Sequence, residues 1–166
     1  MTMSVKVLPR MASITAPPAE HSASVTSALN LILVESFSLY LKTRRIASFL
    51  SAPHLRAYFL LLEDQAKQVL EMTDAVVERI CEIDPLSLGT MGDFVRHGCF
   101  IGRQPHGPLH SMLMSIRDEN LEVATSLSFI KSGVVGMEDL TSLTLIDLWI
   151  EEAERRAEFL FETSRI

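Results

Sequence analysis

The stretch from Lys42 to Ile80 constrains the fold most, because it sets two helices against each other across one break. It holds the end of an amphipathic helix, a stop at Ala52-Pro53, and a second long helical pattern that Asp84-Pro85 ends. The run Tyr58-Phe59-Leu60-Leu61-Leu62 is apolar on every side. A helix with no polar face there must be covered on more than one side. That predicts burial both within its own bundle and against another subunit.

The same helix carries Glu63, Asp74 and Glu78. Asp74 and Glu78 are four residues apart and share a face, one turn from each other. Glu63 precedes Asp74 by eleven residues, about three turns, and falls on roughly that face. Eleven residues span about 16 Å, too far for one ion to reach both ends within one chain. An antiparallel copy related by a two-fold axis near Val69-Leu70 could bring Glu63 of one chain to Asp74 and Glu78 of the other. Isologous two-fold contacts of this kind are the commonest homodimer geometry.

The rest of the chain reads as helices. Ser24 to Leu50 repeats apolar residues at helical spacing (Val25, Ala28, Leu29, Ile32, Leu33, Phe37, Tyr40, Leu41), with Ser22, Ser24 or Thr26 as candidate N-caps. His54 to Cys81 is the second helix, Leu109 to Lys131 the third and Met137 to Thr163 the fourth. The third has Leu109, Leu113, Ile116, Leu121, Ala124 and Leu127 as its apolar side. The fourth has Leu140, Leu143, Ile146, Leu148, Ile150, Ala153 and Leu160, and Glu151, Glu152, Glu154, Arg155, Arg156 and Glu158 as a solvated face. Gly98 to Pro108 is loop, and Gly133 and Gly136 bracket the last turn. Four long helices with one long connection between the second and third give an all-α, ferritin-like four-helix bundle.

Length and composition narrow the rest. The 166 residues fit one domain, with 48% hydrophobic and 22% charged residues. Residues 1–23, rich in Ser, Thr, Ala and Pro, read as a flexible tail and 24–166 as the domain. A net charge of −6 disfavours nucleic acid by bulk electrostatics. Cys81 and Cys99 form no C-x-x-C pair and suggest reduced thiols in a cytoplasmic protein. No apolar run approaches the ~20 residues of a membrane span. His106 and His110 are four apart but Pro108 lies between them, so with His97 they make a weak metal candidate. His54, after Pro53, reads as a surface or interface residue. No E-x-x-H occurs, which argues against the di-iron site of true ferritins within one subunit.

Several pieces of this sequence resemble the Dps family, the ferritin-like DNA-binding proteins from starved cells. They are Leu41-Lys42-Thr43-Arg44, Pro53-His54-Leu55-Arg56, Leu60-Leu61-Leu62-Glu63-Asp64-Gln65-Ala66 and Asp74-Ala75-Val76-Val77-Glu78-Arg79-Ile80. The likeness resumes at Trp149-Ile150-Glu151-Glu152-Ala153-Glu154-Arg155-Arg156 and Phe159-Leu160-Phe161-Glu162. It covers roughly residues 24 to 164, in order and spacing. It implies a short extra helix in the long connection, near Ser87 to His97, and a hollow shell of twelve subunits. It also implies a ferroxidase site between subunits, with two His and a carboxylate from one chain and an Asp and a Glu from its partner.

Glu63, Asp74 and Glu78 match those carboxylates. Both imidazole positions are lost: they fall at Ala47, followed by Ser48, and at Phe59. Oxygen ligands alone hold iron weakly. The expected function is therefore a Dps-like shell protein of iron homeostasis and oxidative-stress protection with a degraded ferroxidase site. The alternatives are a slow carboxylate-only ferroxidase, or a structural subunit co-assembling with an intact paralogue. Arg44, Arg45 or Lys67 pairing with the carboxylates would replace the metal, since three carboxylates without a cation repel one another. The resemblance makes Glu138, Asp139 and Asp147 candidates for an acidic three-fold pore; favourable charge at a helix start explains them equally well. Family members that bind DNA usually do so through Lys-rich tails, whereas Lys6 and Arg10 are the only Lys or Arg in residues 1–23, so DNA binding is expected to be weak or absent.

Overall fold

Pro53 and Pro85 stand where the chain turns. The computed structural model describes residues 19–90, 92, 96, 107–137 and 139–165. Four long helices dominate them: α1 (Ala19–Phe49), α2 (Arg56–Ile83), α3 (Leu109–Val134) and α4 (Leu140–Ser164). Pro53–Leu55 and Pro85–Ser87 are single 3-10 turns opened by the proline, whose missing N–H is no loss at that position. No strand occurs among the described residues.

α1 packs on α2 and α3 packs on α4, each pair forming a hairpin. The two hairpins join mainly through α1 and α3, while α2 and α4 barely touch. One buried cluster runs through Leu29, Ile32, Leu39, Val69, Val76, Ile80, Leu127 and Ile146. A second gathers Ile46, Ala47, Leu50, Leu62, Leu113, Ile116 and Leu160. Burying each such large side chain contributes about 1.5–3 kcal/mol. Asn30 of α1 clamps the chain just past α2: its amide donates to Ser87 O at 2.7 Å and its carbonyl accepts from Gly89 N at 2.7 Å. Gly107, at φ 140°, turns the chain into α3, a conformation that favours a residue without Cβ.

The four helices stand where the hydrophobic period puts them, and their ends differ. α1 begins at Ala19, so residues 19–23 are helical rather than tail, and Ser22, Ser24 and Thr26 lie inside the helix instead of capping it. Thr26 points its hydroxyl back to Ala23 O at 3.2 Å. α2 runs to Ile83 and α3 to Val134, carrying Gly133 within the helix. α4 begins at Leu140 rather than Met137, because Asp139 is the N-cap. Leu121, Leu140 and Leu148 are exposed, not core; Asn120 and Val123 face inward in place of Leu121. The Ala23–Phe49 segment is, by length and composition, apolar enough to span a bilayer, with a mean hydropathy of 1.4. This corrects the expectation from the sequence. The bundle accounts for that composition, since 44% of its most apolar stretch is buried in the protein. Residues 1–18, Cys99, His106 and Glu138 lie outside the described residues, as do 91, 93–95 and His97 of the proposed connecting helix.

Candidate functional site: the α1–α2 turn and the outer flank of α2

The turn at Pro53 folds the last part of α1 onto the first part of α2. Ala47 and Phe59 thereby come to one apolar cluster. Ala47 is 0% exposed, and Phe59 packs on the same cluster from its edge. The Arg56 guanidinium stands 5.7 Å from the centre of the Phe59 ring. Ser48 faces solvent and donates to Arg45 O at 2.6 Å.

Glu63 is half-buried beside this cluster and forms an ion pair with Arg44 of α1. Of the three candidate cations, Arg44 is the one that takes Glu63; Lys67 approaches Glu71 at 3.9 Å instead. Asp74 and Glu78 lie further along α2, both exposed, with no hydrogen bond or ion pair to another described side chain. Among the described residues, no three His, Cys, Asp or Glu side chains converge to hold a metal ion. The donor set of one chain thus does not fit an iron site: one carboxylate is neutralised by a guanidinium and the other two point outward.

The pore candidates have local roles. Asp139 accepts from Ser142 N at 3.0 Å and from the Ser142 hydroxyl at 2.6 Å, capping α4. Arg79 of α2 donates to Asp139 at 2.9 Å and to Ser142 Oγ at 3.0 Å. Partial burial pushes the Asp139 carboxyl up, but the bonds from Ser142 and Arg79 outweigh it and hold the group below the usual range. Asp147 pairs with Lys131 at 2.5 Å. His54 is exposed, and His110 Nδ1 lies 3.2 Å from Ser164 O.

Two ionisable groups with buried, unpartnered atoms escaped the sequence reading. Arg156, assigned to a solvated face, is 3% exposed. Its Nε donates to Asn120 Oδ1 at 2.9 Å, while Nη1 and Nη2 find no acceptor. Burial pushes its pKa down to about 10, only partly offset by nearby Glu152. Trp149, Ala153, Arg156 and Leu160 share one face at helical spacing, a signal present in the sequence. Glu35 has a buried Oε2 without a partner, and burial raises its pKa against a bond with Ser126. No comparable pattern marked Glu35. Where α2 and α4 part, a cavity of about 460 Å³ opens, with Leu61, Gln65, Met72, Trp149 and Phe159 in its walls.

No family model matches this chain, and no curated protein matches it. Solved structures do. DpsC from Streptomyces coelicolor superposes with a TM-score of 0.80 over 96% of this chain and 91% of its own, at 18% identity. Antigen TpF1 from Treponema pallidum gives 0.79 over 93% of this chain and 100% of its own, at 16% identity. A Dps1 variant from Mycobacterium smegmatis gives 0.78 over 88% and 98%, at 17% identity. Likeness at these identities is one of fold: the chain is a ferritin-like four-helix bundle of the kind seen in Dps structures.

Proposed function

We propose that this chain is a Dps-like, shell-forming subunit of iron homeostasis and oxidative-stress protection in which the inter-subunit ferroxidase site no longer works. The fold and the motif spacing support the first half. One observation carries the second: the positions of the two lost imidazoles are occupied by core, with Ala47 sealed at 0% exposure and Phe59 packed on the same cluster. Neither side chain donates to a metal, and Glu63 already has a cation. On this reading the protein acts in the cytoplasm as a homo-oligomer of the shell type, and its acidic body makes little contact with DNA. A carboxylate-only ferroxidase is the second reading, favoured by the exposed and unpaired Asp74 and Glu78.

Ferrous oxidation by peroxide, followed optically, separates the two. The expected wild-type rate is that of a protein-free control. A rate well above the control that falls on Glu63→Gln would overturn the proposal in favour of the second reading.

A further inference from the structure

The outer flank of α2 has its charges sorted by position. Take buried Val69 as pointing into the core. At about 100° per residue, Glu63 and Asp74 then lie within about 20° of each other, well over 90° round from the core. Gln65, Gln68 and Met72 lie on the opposite flank, where they line the cavity toward α4. The Glu63 flank therefore has no cover from α4. Its N-terminal end carries Arg44, paired with Glu63, and Arg56, and its C-terminal end is anionic through Asp74 and Glu78. A parallel copy would set like charge on like. An antiparallel copy turned about Val69-Leu70 sets each end on its opposite, twice.

We propose that Arg44 stands in for a metal at this two-fold: its guanidinium bridges Glu63 of its own chain and Asp74 and Glu78 of a second copy. A guanidinium has five N–H donors in a planar fork, more than one carboxylate can take, and Arg44 meets Glu63 through Nη1. The Arg44 side chain is 45% exposed, so a second chain can reach it. Phe49 and Leu60, 45% and 51% exposed, give that end of the hairpin apolar area for a second chain to cover. The bridging cation is permanently charged, needs no deprotonated imidazole and does no redox chemistry. Self-association is then indifferent to chelators and sensitive to salt.

The inference shares with the proposed function only the two-fold pairing, and the test keeps them apart. Sedimentation velocity is run on the full chain in EDTA, with circular dichroism as the folding check. Wild type associates, and Arg44→Gln and Arg44→Glu weaken association about tenfold or more. Asp74→Arg with Glu78→Arg weakens it similarly, and adding Arg44→Glu to that pair restores it. Unchanged association in folded Arg44→Glu, or no restoration in the folded triple variant, overturns the inference. Neither result bears on whether wild type oxidises iron, so the two readings fail separately.

Discussion

At the scale of single residues, Ala47 and Phe59 show how packing decides what a position can hold. A histidine placed at Ala47 would enter a position with 0% exposure among Ile46, Leu50, Leu62 and Leu160. Its ring nitrogens would find no partner there, so Ala47→His should lower stability by roughly 1–3 kcal/mol. Urea denaturation reads this directly, and a variant as stable as wild type would mean that the cluster opens easily. That Ala47 and Phe59 stand where the resemblance expects His was legible in the sequence, because it depends on motif spacing. That Ala47 is sealed was not, because burial depends on helices distant in the chain, notably Leu113 of α3 and Leu160 of α4. Arg156 makes the same point in reverse. Its neighbours in sequence are charged, so composition hid it, while its spacing from Trp149 and Leu160 placed it on the buried face.

At the scale of elements, the periodic helices were readable and their ends were not. The ends depend on caps, and the cap of α4 is Asp139, three residues before Ser142. Of the two readings the sequence offers for Asp139, a pore residue or charge at a helix start, the cap is the second. Replacing it with Asn removes the charge from both the cap and the Arg79 pair. Asp139→Asn should cost about 1 kcal/mol at neutral pH. The native carboxyl is held below its ordinary value, so its contribution is complete above the ordinary carboxylate pKa. It is lost as pH falls through the lower folded value. Thermal melts should therefore separate the two proteins at pH 7, and the gap should close only as pH falls below the ordinary carboxylate value and through the lower folded one. A gap that persists at low pH would show that shape, not charge, sets the cap.

At the scale of the whole molecule, charge governs what the protein meets. The net charge is −6, and Lys6 and Arg10 are the only Lys or Arg in residues 1–23. Few phosphates can be neutralised, so few counterions are released on contact with a duplex. Gel shifts at physiological salt should show little retardation, and the little seen should vanish as salt rises. A tight complex under those conditions would place the cationic contact outside that N-terminal stretch.

Asn30 closes the chain just beyond α2 by holding Ser87 and Gly89. Mechanically, that clamp isolates the bundle from whatever the long connection carries. Extra chain spliced in after Thr90 would pull on a fixed anchor rather than on the end of α2. Doubling the length of a flexible loop adds only about 0.6 kcal/mol of closure entropy. The position is thus a natural address for a reporter or an affinity tag, where foreign sequence can be long and the helices need not register it.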